Sequence, residues 1–335
     1  LKNITPLYTY IMKAAWYTEQ GKSEEVFFIG ERDEPQPLEG EIQIKVEYAG
    51  VNPGEISKRI ARFGGEMPYP LVIPHSDGSG IVTKIGVGVD KHWLGKKVMC
   101  FGAQSYRPFG TAATYTCVPA THVFELDDSI DMQQAAQMGI PAITGHYAVY
   151  KAGDPRGKTI LVSGGAGAVG QCAIQFAKRG GAKVIATVRK QEDRKIALYA
   201  GADEAICTDK EGLKKLATYK RTIDHIVEVA FSSNLELDNQ LLKVGGSIST
   251  FATTDGTPKI PFWQLVFDNI SIHFLGSDDF PLEAKQKAMR EAANALEAGW
   301  KGLSIYKIYP LEQIAEAHND VEFKRTKERI LLKIS

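Results

Sequence analysis

The 335-residue chain is long enough for two domains, each with its own core. Its 40 Lys and Arg balance 40 Asp and Glu, so no net charge draws it broadly to nucleic acid or to an anionic membrane. No apolar stretch approaches the ~20 residues that span a bilayer, Leu1 to Ile11 lacks the continuous apolar core of a signal peptide, and four scattered cysteines without a CxxC pair fit a reduced, cytoplasmic protein.

In chain order, the first third has strand character. Ile42, Ile44, Val46 and Tyr48 alternate with polar residues, the period of a half-buried strand. Short strands are expected at 80–85, 97–101, 113–118 and 122–126, punctuated by turns such as Pro53-Gly54 and Gly64-Gly65, as in a barrel or sandwich. From about Ser129 the period becomes helical, with helices expected at 132–138 and 144–151 and an interruption at Pro141. Strands and helices then alternate. Strands are expected near 160–162, 182–188, 204–207, 223–229 and 247–251, with helices at 169–179, 192–200, 210–218 and 234–242. Gly245-Gly246 reads as the close of the last of these helices. Five βα alternations imply a parallel sheet covered on both faces. A strand at 270–275, helices at 283–298 and 311–319, and a strand at 329–334 end the chain.

The most informative segment lies within the alternating region. Ile160-Leu161-Val162 runs into Gly165-x-Gly167-x-x-Gly170 and then a helix, the order a dinucleotide-binding turn requires. The glycines permit a tight turn, an approach of the backbone to a pyrophosphate, and close helix–strand packing. The free amides at the helix start, from Ala168 and Val169, would face the phosphate charge. About twenty residues on, where an acidic side chain would hold an NAD ribose, the second strand ends in Thr187-Val188-Arg189-Lys190, with Arg194 nearby. A 2′-phosphate needs positive charge and several donors, so Arg189, Lys190 and Arg194 favour NADPH over NADH. The alternative is that Lys190 and Arg194 only solvate a helix face, with Glu192 and Asp193 among them.

A β-rich first part followed by this turn resembles the medium-chain dehydrogenase/reductase superfamily. The residues that carry the resemblance are Gly50-Val51-Asn52-Pro53, His75-Ser76-Asp77-Gly78-Ser79-Gly80, Gly110-Thr111-Ala112-Ala113-Thr114-Tyr115 and Pro141-Ala142-Ile143-Thr144-Gly145. Within the superfamily the chain looks like the zinc-free quinone oxidoreductase branch. The implied fold is α/β: a barrel-like, GroES-like catalytic domain from 12–134 and 282–335, and a doubly wound Rossmann domain from 135–281. Zinc-binding relatives place ligands where this chain has Asn52, Ser76 and Ile140, none of them a usual zinc ligand. No metal is therefore expected, and His75 reads as a loop histidine satisfying backbone groups, with substrate contact or a shifted metal role as the alternatives.

By resemblance, Asn52 and Thr144 should lie near the nicotinamide and orient the ring or a reacting oxygen; Asn52 could instead only stabilise the turn before Pro53. Phe251, closing a strand at the sheet's carboxyl end, is a further candidate for cofactor contact. Ser57 stands where relatives often carry a tyrosine, leaving Tyr69 and Tyr106 as possible substitutes, and Glu328-Arg329 stands where relatives show Gly-Lys. Without a Lewis acid, hydride transfer suits an electron-poor acceptor such as a quinone or an α,β-unsaturated carbonyl, with Asn52, backbone amides or water stabilising the oxyanion. The competing reading is a non-catalytic NADPH-binding redox sensor or scaffold. A homodimer is expected because relatives commonly pair through the nucleotide domain.

Overall fold

The computed structural model describes residues 10–324 and 326–335; residues 1–9, on which most of the leader expectation falls, and Arg325 lie outside the described residues. Its strands are β1 Ile11–Trp16, β2 Phe28–Asp33, β3 Glu41–Gly50, β4 Asp77–Ile85, β5 Lys97–Cys100, β6 Tyr115–Pro119, β7 Val123–Glu125, β8 Thr159–Val162, β9 Lys183–Val188, β10 Glu204–Cys207, β11 Ile223–Glu228, β12 Leu242–Thr250, β13 Ser271–Phe274, β14 Ile305–Pro310 and β15 Arg329–Lys333. The helices are α1 Ser23–Val26, α2 Pro53–Arg59, α3 Met132–Ala136, α4 Gly139–Tyr150, α5 Ala168–Arg179, α6 Arg194–Tyr199, α7 Lys210–Ala217, α8 Phe231–Leu241, α9 Phe262–Phe267, α10 Leu282–Glu297 and α11 Ile314–Asn319. They form two compact units: residues up to Ile140 together with Ala293–Ser335, and Pro141–Ala292. Among the described residues no helix is long and apolar enough to cross a membrane.

The first unit is built on a seven-stranded sheet in the order β14-β15-β3-β4-β5-β7, with β6 also on β3. The long strand β3 changes partner along its length. Glu41 to Lys45 pair with β6, whereas Tyr48 to Gly50 pair with β15, and β4 runs antiparallel along the other side. Ile42, Ile44 and Val46 are fully buried, as the period-two pattern predicts. At one end of this sheet Gly50 stands opposite both Asp77 of β4 and Leu331 of β15. The chain then turns into α2, where Asn52 is the N-cap, Pro53 follows at the first turn and Glu55 completes a capping box. Where the sequence predicts only a turn at Pro53-Gly54, the structure has this helix.

The second unit is a six-stranded, wholly parallel sheet in the order β10-β9-β8-β11-β12-β13, the doubly wound arrangement whose strand order reverses between β8 and β11. Its strands are apolar on both faces: Val184, Ile185, Ala186, Ile226, Val227 and Ile248 are all fully buried. Two local expectations are corrected. Helix α4 runs unbroken from Gly139, because Pro141 sits in the first turn, where its missing N–H costs no helical bond. Gly245 and Gly246 lie inside β12 rather than closing α8: Leu242 pairs with Ile223 but Ser247 with His225, so the glycines fall in a bulge, Gly245 at φ +78.

Candidate active site

In the second unit the glycine turn follows β8 at the point where the strand order reverses, the position at which doubly wound sheets bind ligands. Backbone bonds fix it to both neighbouring strands: Ser163 N–H donates to Val227 O and Gly165 N–H to Thr187 O, each 2.9 Å. Gly164, just before the motif, supplies the left-handed residue at φ +66. A β-carbon on Gly165 would stand 2.7 Å from the Ala186 side chain, and one on Gly170 would overlap Gly164 O. Gly167 is the more open position, its nearest such neighbour being Gly164 O at 3.3 Å. Gly167 caps α5 with no side-chain hydrogen bond, so the amides of the first turn, Ala168 and Val169 among them, are left for an anion. The fit to a dinucleotide pyrophosphate rests on this uncapped helix start and its glycine cradle.

Arg189 and Lys190 emerge directly beyond β9, which pairs with β8, and both are exposed. Among the described residues the Arg189 side chain makes no hydrogen bond or ion pair, whereas Lys190 lies 3.6 Å from Glu192. Arg194 is partly committed: its Nε donates to Ala205 O at 2.8 Å and its Nη1 to Gln191 Oε1 at 3.3 Å. Thr144 is buried in α4 beside Gly145, where α4 meets α5 so closely that a β-carbon would stand 2.8 Å from Ala173 N and 2.9 Å from Val169 O. Phe251 follows β12 at the carboxyl end of the sheet, half-buried against the core that includes Val162, Ala166 and Ala186.

In the first unit Asn52 occupies the centre of a buried polar cluster. Its Oδ1 accepts from Arg329 Nη2 at 2.8 Å, and its Nδ2 donates to Asp77 Oδ2 at 2.8 Å and to Glu55 Oε1 at 3.2 Å. Both amide protons are thereby engaged, so the expected donation from Asn52 to an oxyanion needs one of these bonds to open. Glu55 also accepts from the backbone N–H of Ser76 at 3.2 Å and from that of Asn52. The Asp77 carboxylate receives Ile140 N–H at 2.9 and 3.0 Å, and the Asp77 carbonyl accepts from Thr111 Oγ1 at 2.7 Å. Burial, reinforced by the neighbouring Asp77 charge, pushes the Glu55 carboxyl up to about 7. Glu55 and Asp77 were not anticipated as functional residues. The Asn-Pro-x-Glu capping box was the available signal for the first, and the His75-Ser76-Asp77 landmark for the second.

His75 departs from its expected role. Instead of satisfying backbone groups, its Nε2 stands 2.9 Å from Nε2 of His318, with the rings stacked at 5.2 Å. Arg59 Nε donates to His318 Nδ1 at 3.3 Å, and Arg59 also pairs with Glu322 at 2.9 Å. Burial, then the Arg329 charge, holds His75 down at about 3, and burial holds His318 well below its ordinary value, so both rings are neutral. Tyr69 donates its hydroxyl to Tyr106 O at 2.5 Å, and Ser57 is buried in α2. Among the described residues no group of three or more His, Cys, Asp or Glu side chains is arranged to hold a metal ion.

Comparison with known proteins adds a finding for each unit. Residues 38–128 match the alcohol dehydrogenase GroES-like domain family, and residues 168–294 match the zinc-binding dehydrogenase family. The chain is 31% identical over 294 residues to the quinone oxidoreductase of Rattus norvegicus, covering 86% of this chain and 87% of that one. It is 29% identical over 317 residues to the quinone oxidoreductase of Homo sapiens, covering 93% and 94%. A mycobacterial protein solved in complex with NADPH has the same fold, with a TM-score of 0.80 at 24% identity, covering 96% of this chain and 100% of that one. A GroES-like sheet, a parallel sheet carrying a Gly-x-Gly-x-x-Gly turn, and near-full-length identity at this level agree: the chain belongs to the medium-chain dehydrogenase/reductase superfamily, in its quinone oxidoreductase-like branch.

Proposed function

We propose that this oxidoreductase is a zinc-independent, NADPH-dependent reductase that delivers hydride to a quinone or an α,β-unsaturated carbonyl. The observation that carries the reading is the uncapped start of α5 over its glycine turn, with the unengaged guanidinium of Arg189 beyond the next strand. In this reading Gly165, Gly167, Ala168, Val169 and Gly170 receive the pyrophosphate, and Arg189 binds the 2′-phosphate, with Lys190 adding charge. Arg194 contributes less, because it must keep its bond to Ala205 O. In the second unit Thr144 and Phe251 are the residues for the nicotinamide, and in the first unit Asn52 is the residue for ring or acceptor; the catalytic domain comprises 12–134 and 282–335 and the nucleotide domain 135–281. Zinc independence is favoured because Asn52, at a zinc-ligand position of relatives, is already bound to Arg329, Asp77 and Glu55.

Bound, the reduced nicotinamide supplies the hydride. The chain's own part is to bind and align the reactants and to offer hydrogen-bond donors to the developing oxyanion. The four cysteines are all buried and none is in a disulfide, which supports a reducing compartment, the cytoplasm. A homodimer through the second unit is part of the same proposal, supported by the apolar outer edge at β13 and α9.

The test is NADPH oxidation against a benzoquinone, a naphthoquinone, an alkenal and an enone, with NADH and a chelator as controls. Turnover that needs NADPH and ignores the chelator is the expected result. Arg189→Ala should weaken NADPH binding about tenfold or more, as loss of a charge-assisted contact does, and leave NADH binding unchanged. NADPH binding with no turnover against any acceptor would support the sensor reading, which the fully engaged Asn52 amide favours.

A further inference from the structure

The cluster around Asn52 contains a device that the proposed reaction does not by itself require. The Asn52 amide can meet a new oxygen only by releasing one of its two donor bonds, and these are unequal: 2.8 Å to Asp77 and 3.2 Å to Glu55. Glu55 is buried, and three N–H groups converge on its two oxygens. That arrangement suits an ionised carboxylate, which accepts at every lone pair. A proton on Oε1 removes acceptor capacity where the bonds are longest. Of the two donors there, Ser76 N–H belongs to the backbone and cannot turn away, whereas the Asn52 side chain can.

We propose that Glu55 is a proton-operated positioning residue: ionised, it holds one N–H of Asn52, and protonated at Oε1, it frees that N–H to meet a reacting oxygen. The proton comes from solvent and stays on Glu55; no proton passes to substrate. The inference rests on the proposed function only in taking Asn52 to face the acceptor.

The surroundings give the transition its range. The charged and titratable groups around Glu55 are Asp77, whose charge acts on it, and Tyr17, on which its own charge acts; Arg59 acts on Tyr17 as well, and Arg329, bonded to Asn52, acts on His75. Tyr17, pushed up to about 12 chiefly by burial and then by the Glu55 charge, stays neutral. Burial and Asp77 place the Glu55 transition at about 7, so both states are populated near neutrality.

The experiment follows the side-chain amide signals of Asn52 by nuclear magnetic resonance in the whole, cofactor-free protein from about pH 5 to about pH 9, a range that brackets the shifted carboxyl. The signals are assigned by their loss in Asn52→Ser. They should titrate near neutrality, stop titrating in Glu55→Gln, and titrate at lower pH in Asp77→Asn, where the repelling charge is gone. In the wild type, turnover with NADPH and a benzoquinone should fall about tenfold per pH unit above the same midpoint, and in Glu55→Gln this fall should disappear. Asn52 signals that do not move in the wild type, or that titrate unchanged in a folded Glu55→Gln, overturn the inference. If Glu55→Gln does not fold, an unshifted midpoint in Asp77→Asn overturns it equally. An absence of turnover beside a titrating Asn52 defeats the proposed function but leaves the device standing.

Discussion

At the scale of single residues, chemistry and packing can be separated within one motif. Gly170 and Gly167 both belong to the glycine turn, yet a β-carbon at 170 overlaps the backbone oxygen of Gly164 whereas one at 167 meets that atom at 3.3 Å. Gly170→Ala should therefore cost about 1–3 kcal/mol of stability, the range for overpacking against an unyielding backbone. Gly167→Ala should keep a near-normal melting temperature and lose dinucleotide affinity. Calorimetry and a binding titration on both variants check the contrast, and equal loss of stability would remove the distinction. Glu55 gives a second prediction at this scale. Its carboxyl is raised in the folded state from 4.5 to about 7, so the folded protein binds the proton more tightly than the unfolded chain. That contribution is full below about pH 4.5 and is lost as pH rises through about 7, amounting at most to about 3 kcal/mol at 1.36 kcal/mol per pH unit. The neutral histidines 75 and 318 act oppositely: their stability is present above the ordinary histidine range and lost as pH falls below it. Glu55→Gln isolates the acid, so denaturant melts of that variant should gain on the wild type as pH rises between about 5 and about 7. A constant difference across that window would mean that Glu55 does not titrate there.

At the scale of elements, the helix packing sets how rigidly the candidate residues are held. Thr144 is placed by the contact of α4 with α5 at Gly145, where only a hydrogen fits between the Cα and the backbone atoms Ala173 N and Val169 O. Gly145→Ala must push the helices apart and should destabilise the protein by about 1–3 kcal/mol, read as a fall in melting temperature. An unchanged melting temperature would show that the two helices yield freely. The parallel sheet was legible because its strands are apolar runs bounded by glycine and separated by helical periods. Strand β10 coincides with its expected range, and α5 differs from it by one residue. What escaped has a physical reason in each case. Strand β2 is largely exposed, with no period-two signal to read, and α9 presents Phe262, Trp263 and Phe267 to solvent instead of a buried stripe. In α4 the proline read as a break because its position in the first turn depends on where the helix begins, which composition does not fix. Of the candidate site, the glycine turn was legible because its backbone shape and close contacts themselves demand glycine. It was illegible where residues distant in sequence converge: the Arg329–Asn52 bond spans 277 positions and the His75–His318 pair 243.

At the scale of the whole molecule, the second unit leaves an edge that a single copy does not satisfy. Strand β13 ends the parallel sheet with one side unpaired by any strand among the described residues, and Phe274 on it is 70% exposed. Beside it in sequence, α9 exposes Phe262 at 61%, Trp263 at 66% and Phe267 at 75%, with Trp263 ringed by the other two. Monomeric proteins seldom leave so many large apolar side chains together in water, and a bare strand edge invites pairing. A second copy answers both features, because a two-fold axis can set β13 against its own counterpart and bring identical aromatic groups together. The chain should therefore sediment as a dimer at micromolar concentration, a range in which interfaces of ordinary size are occupied. Trp263→Asp would bury a charge in each half of that interface and should shift the species to monomer, while the buried core of the unit and its circular dichroism stay unchanged. If the wild type sediments as a monomer across that range, these aromatics serve another partner. If Trp263→Asp remains dimeric, the two copies meet on a different face.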